Sequence, residues 1–371
     1  MNKPKAPSYP KPYPKFGFES TWRCKNIALQ DQIDERTNYP YPDTSMLTTN
    51  RKFMSEYRKL SQWQPIGNDP HNFELQTREV KDKKLLIQEF KKLSIIMNKF
   101  DCIESSRSHN NHLEGGGHIH VDYGDMFGDL GYGNDYSYHQ YLNEIKCDVS
   151  RKVFLDHDHL NYLSLFRQNF NYSKYNKHKE YINNLFADFT WNLITFMMNN
   201  PWIAWAFNAP NDNDTAKSPL LNSGGVERDI EDIRSIGLQR TKEFTIDHKE
   251  YSVVLRQELQ TFEFRFFGMP KCEKELELHI DLAHAIFKYC FDLTVKGVKL
   301  RRKLSPYDLM DITYRKALNE LKKVCTQLKI PFTKVERYGK VNNLFIRYAF
   351  QKASVESKIA LFYTDDENML N

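Results

Sequence analysis

The 371-residue sequence is short of several things at once, and each shortage removes a class of protein. No stretch approaches the ~18 uninterrupted apolar residues of a spanning helix, so a membrane protein is not expected. Lysines near the N-terminus have no apolar run behind them, so no secretory signal is expected, and a cytoplasmic location follows. Six cysteines (Cys24, Cys102, Cys147, Cys272, Cys290, Cys325) lie far apart with no C-x-x-C pair. Zinc-ribbon spacing is therefore absent, and scattered reduced thiols are the expectation. There is no G-x-G-x-x-G after a strand, so a dinucleotide fold lacks support, and no internal repeat is visible. Charge of one sign is scarce as well: 53 basic against 48 acidic residues leave +5, too little to call for nucleic acid by itself.

What the chain does have is aromatic bulk. With 21 Tyr, 25 Phe and 40% hydrophobic residues it can fill a substantial core. Its wealth of Asn, Lys and Tyr fits an AT-rich genome, and a phage origin would suit it. Pro4, Pro7, Pro10, Pro12 and Pro14 alternate with Tyr and Lys, which predicts a polyproline-like or unstructured arm over 1–14. Order should begin near Lys15-Phe16-Gly17-Phe18-Glu19, with a main domain over 15–300 and a helical extension over 301–371. A short helix fits Lys52 to Leu60. His71 to Thr77 alternates as a half-buried strand does, and Leu86, Phe90, Leu93 and Met97 then repeat at helical spacing.

Gly115-Gly116-Gly117 leads into a second alternation, His118-Ile119-His120-Val121-Asp122, followed by a loop over 123–138. Ile182, Leu185, Phe189, Leu193 and Phe196 predict a helix from His178 to Asn199, which Pro201 ends or restarts. A loop over 208–225 should precede strands at Tyr251–Arg256 and Thr261–Phe267. Helices fit Glu273–Val295 and Pro306–Leu328, and a last element fits Asn343–Phe350. Single strands separated by helices of varied length predict an α+β fold with a mostly antiparallel sheet and flanking helices.

Three patterns could carry chemistry. On a strand, His118, His120 and Asp122 project to one face, where two imidazoles and a carboxylate can hold a metal or steady a phosphate. A hydrogen-bonded histidine pair on an exposed face is the plainer alternative. In Thr261-Phe262-Glu263-Phe264-Arg265-Phe266-Phe267, the phenylalanines at 262, 264 and 266 share one face, and Glu263 and Arg265 share the other. That pair is either a structural ion pair or a metal ligand beside a phosphate clamp. Glu19 and Glu74 sit on predicted strands among apolar neighbours, where an unpaired carboxylate is costly to bury. Carboxylates from separate strands meeting one histidine suit Mg²⁺ or Mn²⁺ with nucleotide phosphates. Asp156-His157-Asp158-His159 reads as a solvated turn, and Lys299, Arg301, Arg302 and Lys303 as a solvated helix end.

The order of these pieces is G-F-E, N-F-E-L before a helix, G-G-G-H-I-H-V-D and F-E-F-R-F-F. Over residues 15 to 296 it resembles the amidoligase branch of the glutamine synthetase and glutamate–cysteine ligase superfamily. The resemblance implies a curved, mostly antiparallel sheet forming a glutamine-synthetase-like funnel, with ATP and Mg²⁺ or Mn²⁺ on its concave face. It implies an ADP-forming carboxylate–amine ligase acting on small-molecule or peptide acids and amines through an acyl phosphate. Glu19, His118 and Glu263 then correspond to ligands of the metal bridging the phosphates, and Glu74 to a ligand of a second metal. His120 corresponds to a histidine near the ATP phosphates, and Arg265 to the arginine that stabilises the transferring phosphoryl group. Arg240 or Arg256 corresponds to an additional phosphate contact. Arg265 is accordingly expected in a cleft, contributing to ligand contacts more than to stability. The chain departs from the family at Thr21, where a second acidic residue usually stands, which implies a weaker second metal site. The H-x-H pair also suits a metal-dependent hydrolase, and Thr21 with the Pro/Tyr arm suits a catalytically degenerate interaction protein. The acid, the amine and the oligomeric state are not encoded in any motif.

Overall fold

The computed structural model describes residues 6–24, 51–63, 67–69, 72–104, 116–128, 177–207, 253–256, 260–301, 303, 313–339 and 341. In chain order these form β1 (Phe16–Cys24), α1 (Arg51–Tyr57), β2 (Gly67–Asp69), β3 (Asn72–Gln76) and α2 (Lys83–Lys99). Then come β4 (Cys102–Glu104), β5 (Gly117–Asp122), α3 (Gly124–Phe127), α4 (Lys177–Asn199) and α5 (Pro201–Phe207). The last are β6 (Val253–Arg256), β7 (Thr261–Phe264), α6 (Glu273–Val295), α7 (Tyr314–Gln327) and α8 (Phe332–Tyr338). The strands make one antiparallel sheet in the order β2-β3-β1-β5-β7-β6, with β4 pairing the far end of β1. The fold is therefore mixed helix and strand with an antiparallel sheet. Among the described residues no helix is long and apolar enough to cross a membrane.

Strand alternation divides the sheet into two chemically different faces. On one face Phe16, Phe18 and Trp22 of β1, Leu75 of β3, Ile119 and Val121 of β5, and Phe262 and Phe264 of β7 are all buried. Helix α6 packs on β5 and also touches α2 and α4, so it links the sheet to both of those helices. Phe189 of α4 is fully buried, with its ring edge-on to Phe262 at 5.6 Å and to Phe287 at 4.8 Å. This aromatic seam ties the sheet to α4 and α6, and it is where much of the phenylalanine content is spent.

Local chemistry explains where the helices begin and how they are held. Asp82 caps α2 by accepting from the Leu85 amide at 3.1 Å, and Leu86, Phe90, Leu93 and Met97 are buried as their spacing predicts. Glu89, also buried, accepts from the amides of Ser61 and Gln62 at 2.9 and 2.8 Å and from the Ser61 hydroxyl at 2.8 Å, fastening the turn after α1. Asn192 of α4 donates to Thr294 at 3.0 Å and to the Val298 carbonyl at 2.9 Å, while its carbonyl oxygen accepts from the Leu300 amide at 2.8 Å. The chain leaving α6 is thereby stitched back to α4.

Several boundaries differ from the sequence expectation. Residues 124–127 form a helical turn within the expected loop, because Asp122 accepts from the Gly124 and Asp125 amides at 2.5 and 3.3 Å. The strand expected to reach Phe267 ends at Phe264, although Phe266 and Phe267 stay buried and Gly117 donates to the Phe267 carbonyl at 3.1 Å. β4 and α8 were not anticipated; three and seven residues are too short to show a period. The Pro/Tyr-rich stretch has no helix or strand over 6–14, yet its tyrosines are packed. Tyr9 lies 5.6 Å from Phe291, Tyr13 lies 4.9 Å from His284, and the Tyr13 hydroxyl accepts from the Lys83 amide at 3.0 Å. The expected loop over 208–225 and last element at 343–350 fall outside the described residues.

Candidate metal centre

The polar face of the sheet is assembled by register. In the β1–β5 pair Glu19 lies opposite His118, and Gly17 opposite His120. In the β5–β7 pair His120 lies opposite Glu263, and Asp122 opposite Thr261. Directly opposed side chains start ~5 Å apart at Cβ, so three strands bring two carboxylates and two imidazoles together across the middle of the sheet. His118 Nδ1 lies 3.2 Å from Glu19 Oε2 and 3.0 Å from Glu263 Oε1. Glu263 is fully buried and is also paired with Arg265 Nη1. Donor atoms of Glu19, His118 and Glu263 all lie within 4.8 Å of one another, a grouping able to hold a metal ion.

The other atoms of these residues are also engaged. Glu19 Oε1 is 2.9 Å from His120 Nε2 and accepts from Gln76 Nε2 at 3.3 Å. His120 Nδ1 is 3.1 Å from the Thr261 hydroxyl. His118 Nε2 is buried without a hydrogen-bond partner, as is Arg265 Nε. Gly116 explains the position of the His118 ring: a Cβ there would lie 3.0 Å from His118 Nε2 and 2.9 Å from the Phe267 carbonyl oxygen. Only glycine lets the backbone come that close. Thr21 holds this glycine, its hydroxyl donating to the Gly116 carbonyl at 3.3 Å and accepting from the Gly116 amide at 3.4 Å. The residue standing where the resembled family has an acid is thus a clamp on the backbone beside His118.

Electrostatics favour charged pairs here. Burial opposes ionisation of Glu19, but His120 and the hydrogen bonds with both imidazoles outweigh it and hold the carboxyl well below its usual range. Burial likewise opposes ionisation of Glu263, and Arg265 first, then His118, bring it down to about 2. Burial, and for His118 the nearby Arg265, lower the imidazoles, but the carboxylates prevail and both His118 and His120 are raised. The metal-free cluster therefore favours the protonated rings more than free imidazoles would. A divalent ion could displace the His118 Nδ1 proton, which lies between two carboxylate oxygens. Two oxygen donors and one imidazole form a set compatible with Mn²⁺ and with Mg²⁺.

The structure brings together Glu19, His118, His120, Glu263 and Arg265. It corrects two expectations. Asp122 does not join the histidines, because its carboxylate caps α3. Arg265 is only 6% exposed and is bound to a carboxylate with no solvent contact, so its role in stability is larger than expected of a cleft arginine. Glu74 is placed by register opposite Thr21, and Arg256 opposite Thr261. Arg240 and the run Asp156-His157-Asp158-His159 lie outside the described residues. Thr261 and Gln76 were not singled out from sequence. Each was legible by strand period, since Thr261 stands two before Glu263 and Gln76 two after Glu74. No family model matches the sequence, and no curated protein matches it.

Proposed function

We propose that the protein is an ATP-dependent, ADP-forming carboxylate–amine ligase, working on the polar face of its antiparallel sheet. The observation that carries this reading is the meeting of Glu19, His118 and Glu263 from three separate strands, with Arg265 on the buried carboxylate. These residues match, in order and type, the ligand set that the sequence resemblance implies. Glu19, His118 and Glu263 would hold Mg²⁺ or Mn²⁺, which neutralises phosphate charge when bound. In the reaction a substrate carboxylate oxygen attacks the γ-phosphorus of ATP and ADP leaves. The amine nitrogen then attacks the acyl carbon, phosphate departs, and the nitrogen loses a proton. Arg265 is suited to the charge that develops on the phosphoryl oxygens, a contribution of ~3 kcal/mol where such a donor is preorganised. The sheet would be the curved wall of a glutamine-synthetase-like funnel, acting in the cytoplasm where ATP is supplied.

A hydrolase built on the H-x-H pair is less well supported. Such sites gather further histidines, whereas His279 is stacked on Phe267 at 4.5 Å and His284 lies against Tyr13 and Phe16 on the apolar side. The test is a screen of acid and amine pairs with ATP and Mg²⁺, reading ADP. Release of ADP that requires both partners supports the ligase. Amide cleavage that needs metal but not ATP would support the hydrolase, and absence of any nucleotide binding would support an interaction protein.

A further inference from the structure

We infer that His120 acts as an outer donor that aims Glu19 at the metal, and that the Thr261 hydroxyl is the positioning group that holds its ring in place. This rests on the reading of Glu19, His118 and Glu263 as a metal site and deepens it, since His120 then contacts a ligand of the metal rather than phosphate. Both ring nitrogens of His120 are committed, Nε2 to Glu19 Oε1 at 2.9 Å and Nδ1 to the Thr261 hydroxyl at 3.1 Å. Glu19 Oε1 receives a second donor from Gln76. With Oε1 held by two outer partners, Oε2, the oxygen beside His118 Nδ1, is the one free to face an ion.

The arrangement depends on the proton of His120 being on Nε2. If it moved to Nδ1, a lone pair would point at a carboxylate oxygen, and the contact would become repulsive. The Glu19 carboxylate itself favours the proton on Nε2, and the Thr261 hydroxyl holds the far nitrogen in either charge state of the ring. It donates to Nδ1 when the imidazole is neutral and accepts from Nδ1–H when the ring is charged. The Nε2–H is preserved in both. Fixing a tautomer and orientation through the far nitrogen is how outer groups hold metal-site side chains, and losing such a group typically weakens metal binding ~10–100-fold. Thr261 is set in place by its own register. It opens β7 opposite Asp122 and is followed by Phe262, which is anchored in the aromatic seam.

The experiment compares full-length wild type, Thr261→Val and Thr261→Ser by Mn²⁺ titration, using calorimetry or the electron-spin signal of the free ion. ¹⁵N-histidine NMR of the metal-free proteins accompanies it, with the His120 signals assigned through His120→Gln. Valine keeps the shape of threonine and removes the hydroxyl; serine keeps the hydroxyl. The expected result is Mn²⁺ affinity at least ~10-fold weaker in Thr261→Val and within ~3-fold of wild type in Thr261→Ser. The His120 ring should carry its proton on Nε2 in all three proteins, and its Nδ1 signal should shift in Thr261→Val, where the hydroxyl contact is lost, and not in Thr261→Ser. Unchanged affinity in Thr261→Val, or an unchanged Nδ1 signal, would overturn the role of Thr261 while leaving the metal site standing. A wild type that binds no Mn²⁺ overturns both the metal reading and the aiming of Glu19. Wild-type Mn²⁺ binding without any ligase activity leaves the Thr261 inference intact and removes only the ligase.

Discussion

Replacing Arg265 with methionine separates the roles of Glu263 as an ion-pair partner and as a metal ligand. In the native protein the Glu263 carboxylate has no solvent contact, and its charge is balanced by Arg265 Nη1 and by His118 Nδ1 at 3.0 Å. Methionine fills similar length but takes the guanidinium away from the carboxylate, and the remaining imidazole is shared with Glu19. Breaking a buried pair from one side typically costs ~3–5 kcal/mol, because an uncompensated charge stays behind. The metal-free variant should therefore lose about that much stability in urea unfolding with chelator present, at an unchanged m-value. Mn²⁺ brings positive charge to the same carboxylate, so it should stabilise the variant more than it stabilises wild type. Saturation at ~100 times Kd contributes ~2.7 kcal/mol, a gain large enough to resolve. A loss below ~1 kcal/mol in chelator, or an equal Mn²⁺ effect on both proteins, would refute the pairing of Arg265 and Glu263 as the balance of this site.

The charge pattern also sets a pH response in the metal-free protein. Lowered Glu19 and Glu263 contribute stability above their ordinary value of 4.5 that disappears as pH falls through their native values. Raised His118 and His120 contribute below 6.5 and lose the contribution as pH rises through their native values, so melting temperature should peak between about 4.5 and 6.5 and decline on the alkaline side. His284, pushed down to about 3 by burial and then by Lys83, works in the opposite sense as pH falls from 6.5 and draws the peak toward 6.5, so the peak should broaden toward pH 4.5 in His284→Phe. A melting temperature that rises steadily from pH 6.5 to 9 in that variant would contradict the signs. In the aromatic seam, Phe189→Ala should cost ~3–5 kcal/mol by denaturant unfolding, since the ring is fully buried among Phe127, Phe262, Phe287 and Phe291. A cost under ~1.5 kcal/mol would mean that α4 does not bear on the sheet as described.

Long amphipathic elements could be read from sequence because their period is repeated several times. α4 and α6 fall within a residue of the expected bounds, and the expected stripe of α2 is buried, as are Leu185, Phe189, Leu193 and Phe196 of the stripe expected in α4. The meeting of Glu19, His118 and Glu263 was implied by the family resemblance, and strand alternation agrees with it, since each stands at a polar position of its strand. What period cannot supply is which strands become neighbours. β1 lies between β3 and β5, and β7 joins from more than 130 residues further on, so the partners of His120 depended on a register that no local pattern encodes. Arg265 was misjudged for a related reason. Sharing a face with Glu263 is visible in the sequence, but the depth of that face is a property of the packed molecule. The fate of Asp122 was decided by the turn that follows it, where two free amides compete with the histidines for its carboxylate.

The central claim is that Glu19, His118 and Glu263 hold a divalent ion that serves a nucleotide. Calorimetric titration of Mn²⁺ into the full-length chain, with and without a non-hydrolysable ATP analogue, tests it most directly when wild type is compared with Glu19→Gln. Glutamine keeps the size of the side chain and removes the charge from the least buried of the three ligands, whose side chain is 17% exposed. Wild type should bind Mn²⁺, and should bind it more tightly with the analogue present. Glu19→Gln should weaken binding at least ~10-fold, on the order of 1.4 kcal/mol. Equal Mn²⁺ affinity in the two proteins, or an affinity that the nucleotide analogue leaves untouched, would contradict the account.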